Sequence, residues 1–96
     1  MAKSIIQDYE EEPWCYVCGS NQFLHSHHCI CGSGRRVMSE KYGLKLLLCM
    51  EHHTGKYGVH NGNYELMREL QELAQRKFEE THTREEFRDV FGISIL

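Results

Sequence analysis

Two short half-sites, Cys15-x-x-Cys18 and Cys49-x-x-His52, constrain this chain more than any other feature. With 96 residues it has room for one small domain. A chain this short buries only about 60–65% of the surface its unfolded form exposes, so the apolar core alone leaves a thin stability margin. A staple is expected, either disulfides or a metal. Residues 1–12 are polar and acidic after Ile5-Ile6 and do not resemble an export signal. No run of about 18 apolar residues offers a membrane span. The expectation is therefore a cytoplasmic, reducing setting, where cysteines serve as metal ligands or free thiols rather than in disulfides. The odd number of cysteines, five, points the same way. Cys49 and His52 fall where an apolar run gives way to a helical segment, and residues three apart on one turn share a face. Together with Cys15 and Cys18 they make a Cys3His set, a common closed structural zinc site in which metal binding and folding are coupled. His53, the next residue, is a rival for the fourth position.

The rest of the chain divides into a lead-in, 1–13, which reads as flexible or loosely packed, and a single domain, 14–96. Phe23–Cys29 has the length and flanks of a strand. Ile30–Arg36, with Gly32-Ser33-Gly34, reads as a loop. Ser39 is placed to cap a single helical turn ending at Gly43, and Leu44–Leu48 reads as a buried strand. Cys49–Thr54 is expected to begin a helix, which Gly55 and Gly58 interrupt. From Asn63, a plausible N-cap, Leu66, Met67, Leu70, Leu73, Ala74 and Phe78 recur at helical spacing. That apolar face could serve the core or a partner. Thr83-Arg84-Glu85-Glu86 matches a capping box for a last helix with Phe87, Val90 and Phe91 buried, ending at Gly92. The fold class is α+β.

The formal net charge is −3, which on its own argues against a nucleic-acid partner. Its distribution qualifies that. Between residues 25 and 62 the basic side chains are Arg35, Arg36, Lys41, Lys45 and Lys56, against Glu40 and Glu51 alone. The same segment holds six of the seven histidines. His27-His28 ends the first strand, His53 follows the second half-site, and His60 comes seven residues later. Histidine ligands with a further neutral imidazole as base are the minimum for metal-assisted phosphodiester hydrolysis. His25 reads as a strand surface residue, or, since it lies on the His27 side of the pleat, as a support behind the site; His82 reads as a solvated helix-junction residue, and Cys29 and Cys31 as free thiols. Arg35, Arg36 and Lys56 are candidate phosphate contacts.

The order Cys-x-x-Cys, a strand ending in His-His, and an apolar strand running into Leu48-Cys49-Met50-Glu51-His52-His53 resembles the HNH (ββα-metal) endonuclease superfamily. The stretches Ser39–Leu44, His52–Gly55 and Gly58–His60, with the ending Phe78–Gly92, are similar to small phage-encoded HNH proteins related to the phage recombination-enhancing, RecA-dependent nucleases. The resemblance covers residues 14–96. It implies a zinc-stapled ββα-metal core with C-terminal helices, and hydrolysis of DNA by a metal-dependent endonuclease connected with phage or prophage recombination. His28 then matches the general base, and His27, His53 and His60 the ligands of a catalytic Mg2+, Mn2+ or Zn2+. Cys15, Cys18, Cys49 and His52 match the structural zinc set, with histidine in place of the usual last cysteine. DNA is the implied partner, with a recombinase–DNA filament implied by the closer likeness. The sequence departs from the motif in two places. His60 lies beyond the usual spacing of three or four residues, and Tyr42-Gly43-Leu44 stands where the motif's asparagine is expected. An alternative class is a non-catalytic, zinc-dependent DNA- or protein-binding module on a degenerate HNH fold.

Overall fold

The computed structural model describes residues 2–96. Among them run β1 (Leu24–His28), α1 (Arg35–Tyr42), β2 (Lys45–Cys49), α2 (Met50–His53), α3 (Tyr64–Phe78) and α4 (Arg84–Phe91). The two strands form one antiparallel sheet in which Leu24 lies opposite Cys49 and His28 opposite Lys45. The architecture is thus a small α+β fold of a two-stranded sheet and four helices.

A two-stranded sheet is marginal unless both strands are covered. Every residue of β2 except the half-buried Leu47 is buried, with Leu46 and Leu48 fully enclosed. Its outer edge is satisfied by the N-terminal residues rather than by a third strand. Ile5 N–H donates to Gly43 O at 2.9 Å, and the Ser4 hydroxyl donates to Lys45 O. Leu47 N–H donates to the side-chain oxygen of the buried Gln7 at 2.8 Å, and Tyr16 N–H donates to Leu47 O at 2.8 Å. Residues 4–7 of the expected loose lead-in are therefore fastened along β2. The reason is that buried backbone groups need partners, which a Ser and a Gln side chain supply here as well as a strand would.

Helix α1 is longer than the single turn expected after Ser39. It starts at Arg35, behind Gly34, and takes in residues assigned to the loop. Ser39 is not its cap. Fully buried inside the helix, its hydroxyl donates to Ile30 O at 2.6 Å and accepts from Ile30 N–H at 3.2 Å. The serine is spent on satisfying the backbone of the preceding loop, which lets the helix close down on it. Gly43 ends α1 as expected, at φ 72°, and a Cβ there would sit 2.3 Å from Lys3 O. Both the left-handed backbone and the N-terminal strap require glycine at this position.

The C-terminal half follows its sequence signals. The Asn63 side chain accepts from Leu66 N–H at 3.1 Å, and Thr83 and Glu86 form the reciprocal capping box. Leu70, Ala74 and Phe78 of α3 meet Phe87 and Phe91 of α4 in the core, with the Phe78 and Phe87 rings edge-on at 5.4 Å. The apolar face of α3 is thereby used by the core. No helix among the described residues is long and apolar enough to cross a membrane.

Candidate metal centres

The first centre is built at three places in the chain. A tight turn holds the Cys-x-x-Cys knuckle, with Gly19 N–H donating to Cys15 O at 2.9 Å and Cys15 N–H donating to Ser20 O at 2.7 Å. Cys49 is the last residue of β2 and the N-cap of α2, and His52 lies one turn further on. The donor atoms of Cys15, Cys18, Cys49 and His52 all lie within 4.8 Å of one another. The Cys18 and Cys49 sulfurs are 3.7 Å apart, and His52 Nδ1 is 3.3 Å from the Cys49 sulfur. A tetrahedral ion with bonds of about 2.3 Å to sulfur has sulfur–sulfur edges of about 3.8 Å, so the set fits a metal such as zinc. Burial opposes ionisation of Cys15, but the backbone amides of Cys49, Cys18 and Val17 outweigh it and hold this thiol below its ordinary value. That favours the thiolate a metal needs. His53, the rival fourth ligand, belongs to a different group.

That second group is His27, His53 and His60, whose ring nitrogens also lie within 4.8 Å of one another. The three rings meet edge to face, with centroids 5.4 Å apart for His27 and His53, 5.3 Å for His27 and His60, and 4.9 Å for His53 and His60. His60 returns to the site because the loop after α2 folds back on the helix. Val59 N–H donates to His52 O at 2.9 Å, and His60 N–H to His53 O at 3.0 Å. The buried Val59 pins the loop to the core. Gly58 makes this approach possible, since a Cβ there would lie 2.7 Å from His53 O. The seven-residue spacing is thus no obstacle to convergence.

His27 is 1% exposed, and among the described residues neither of its ring nitrogens has a hydrogen-bond partner. An orphaned buried polar group costs about 1–3 kcal/mol per missing bond, a cost that binding a metal would relieve at one of the two nitrogens. Burial first, then the neighbouring His53, His60 and His28, push the His27 pKa down to about 3. His53 falls to about 4, through burial and then His60, His25, Arg36 and His28. Both imidazoles are therefore neutral at neutral pH, the form that binds metal. His53 Nδ1 lies 2.9 Å from His25 Nδ1, and with His53 as the donor its Nε2 is left bare for an ion. His25 thus stands behind a ring that could serve a metal, the place a ligand's ring partner commonly takes.

Beside this cluster lies a cleft of roughly 350 Å³ lined by Ser26, His28, Cys31, Arg36, His53 and His60. The strand register runs without a bulge, so His27 and His28 point to opposite faces of β1. The bulge that would bring both to one site is absent, and of the two only His28 lines the cleft, together with His53 and His60. The Nε2 of His28 lies 3.0 Å from Oε1 of Glu40, and Lys45 Nζ lies 2.5 Å from the other oxygen of Glu40. The candidate phosphate contacts separate. Arg36 lines the cleft, whereas Arg35 donates from Nε to Phe91 O at 2.8 Å and ties α1 to α4. Lys56 is exposed, lies over the Tyr57 ring, and is not among the cleft residues.

Sequence reasoning missed Glu40 and undervalued His25. For Glu40 a signal existed, since it is one of only two acidic residues between 25 and 62. For His25 the pleat left two readings open, and its ring lies 2.9 Å from His53 Nδ1. Comparison with known protein families, curated proteins and solved structures gives no match for this chain.

Proposed function

We propose that the protein is a metal-dependent endonuclease of the HNH kind that hydrolyses DNA phosphodiester bonds, stapled by a structural zinc on Cys15, Cys18, Cys49 and His52. The observation that carries this reading is the convergence of His27, His53 and His60 at one point, with both nitrogens of His27 buried and unpartnered, next to an open cleft that also presents His28 and Arg36. A packing role would leave no reason to aim three imidazoles at each other beside solvent. An all-imidazole set favours a first-row transition ion over Mg2+. When bound, such an ion would supply positive charge to a phosphate oxygen and to the leaving oxygen.

The chain's own residues would do the rest. His28, half-buried at the cleft, takes the proton of the attacking water. Arg36 meets the negative charge of the scissile or adjacent phosphate. His25 and the loop carrying Gly58 and His60 keep the ligand rings in place. The phage and recombination setting implied by the resemblance fits a compact enzyme of this type and belongs to the proposal.

Nicking of supercoiled plasmid by the zinc-loaded protein, with and without Mn2+, tests the reading. Wild type is expected to nick only with the added ion, and His28→Ala to be slower by about 10²-fold or more. A protein that holds zinc and never nicks would instead be a non-catalytic binding module. A His28→Ala variant as fast as wild type would overturn the role given to His28.

A further inference from the structure

His28 and Lys45 are cross-strand partners, the last residue of β1 and the first of β2, so their side chains leave the same face of the sheet. Helix α1 connects the two strands, and Glu40 on its second turn reaches down between them. One carboxylate oxygen takes His28 Nε2 at 3.0 Å and the other takes Lys45 Nζ at 2.5 Å. The side chains of His28 and Lys45 are only 15% and 7% exposed, and that of Glu40 is 30% exposed. This is a held arrangement, unlike the surface pair of Arg68 and Glu72, where the side chains are 60% and 32% exposed.

With His28 as the unprotonated base that the endonuclease reading requires, the three groups have one way to share hydrogens. An ammonium only donates, an ionised carboxylate only accepts, and a neutral imidazole has one donor and one acceptor. Lys45, and then His28, hold the Glu40 carboxyl below the usual carboxylate range, so it is ionised at neutral pH. We propose that Glu40 is a positioning residue that fixes His28 with its proton on Nε2, leaving Nδ1 bare to accept a proton from water, and that Lys45 in turn holds Glu40 in place. This inference rests on the endonuclease reading for its purpose, but the tautomer it assigns can be observed without any cleavage.

The experiment uses long-range proton–nitrogen NMR of the imidazoles in the full, zinc-loaded chain, together with plasmid nicking in Mn2+. Wild type is expected to show His28 with its hydrogen on Nε2. Glu40→Gln has a single oxygen for two donors, and the buried Lys45 claims it. The amide NH2 then faces His28 Nε2 and moves the ring proton to Nδ1, which should lower kcat about 10²-fold or more while leaving KM near wild type. In the double variant Glu40→Gln with Lys45→Met, the amide is free to turn its oxygen to His28, so the Nε2–H form and much of the rate should return. A merely structural ion pair would give the opposite order, with the double variant no better than the single one.

A wild-type His28 protonated on Nδ1, or a Glu40→Gln variant with an unchanged tautomer, overturns the assignment. If Glu40→Gln fails to fold, the wild-type spectrum alone decides it. Wild type that nicks together with a Glu40→Gln variant that nicks equally well removes the positioning role and leaves the endonuclease standing. The assigned tautomer in a wild type that never nicks does the reverse.

Discussion

The two histidine-bearing clusters differ both in how they are built and in what surrounds them. Each brings its ligand atoms within 4.8 Å of one another, and both draw on α2, where His52 serves one and His53 the other. The Cys15–Cys18–Cys49–His52 set has four donors, and among the described residues no other titratable side chain is hydrogen-bonded to it, although Cys18 is exposed and a cleft of roughly 310 Å³ lies beside His52. The His27–His53–His60 set has three donors, an open cleft beside it, and two further hydrogen-bonded groups at its margin, His25 and the His28–Glu40 pair. A four-donor set leaves a tetrahedral ion no free position, whereas a three-donor set leaves one for water or phosphate. On the proposed reading, the contrast teaches how neighbouring ligand sets would serve stability in one place and reaction in the other. A single residue step along α2 separates the two roles.

The largest effect that would sharpen this contrast is loss of the closed set. Cys15→Ser should abolish the fold, because the metal's binding energy is folding energy in so small a domain and the whole margin is on the order of 5 kcal/mol. Loss of circular dichroism and of dispersed amide resonances would show it, and a folded, zinc-free Cys15→Ser protein would break the assignment. His27→Leu should behave in the opposite way. It removes two unsatisfied buried nitrogens, so the zinc-loaded domain should gain about 1–2 kcal/mol in denaturant unfolding while nicking disappears. A marked loss of stability would mean that His27 is a packing residue.

Smaller effects test how the open cluster is held. Gly58→Ala forces a methyl against His53 O, where a Cβ would stand at 2.7 Å. The loop must shift, at a cost of about 1–2 kcal/mol, and nicking should fall with the displacement of His60. Unchanged stability and activity would show that the loop has slack. The smallest expected effect separates two neighbouring arginines. Arg36→Ala should lower the salt dependence of DNA binding by about one phosphate contact, a slope change near 0.7–0.9. Arg35→Ala should leave that slope alone and cost about 1 kcal/mol of stability through the lost bond to Phe91 O. Equal slopes for both variants would remove Arg36 from the DNA contact.

Much of this was legible in the residues. The Cys-x-x-Cys and Cys-x-x-His spacings announce the closed set because both members of each half-site are local, and the helix caps Asn63, Thr83 and Gly92 announce the C-terminal half for the same reason. Convergence of His27, His53 and His60 depends on a loop folding back over Gly58, which spacing alone does not reveal. Glu40 was invisible as a site residue because its partners come from two strands that meet only once the sheet has formed. Ser39 misled, since a hydroxyl in a loop–helix region suits a cap equally well whether it starts the helix or, as here, ties its interior to Ile30. Gln7 gave no sign that it would replace a strand along β2.

The most direct measurement of the contrast between the two clusters is a calorimetric and spectroscopic titration of the zinc-loaded chain with Co2+, run on wild type and on His27→Leu. Wild type should bind one further ion per chain, at a site without thiolate ligands, and His27→Leu should bind none while keeping its zinc. A wild type that takes up no ion beyond the zinc, or a His27→Leu variant that binds the second ion as tightly as wild type, would contradict the assignment of His27, His53 and His60 as a metal centre.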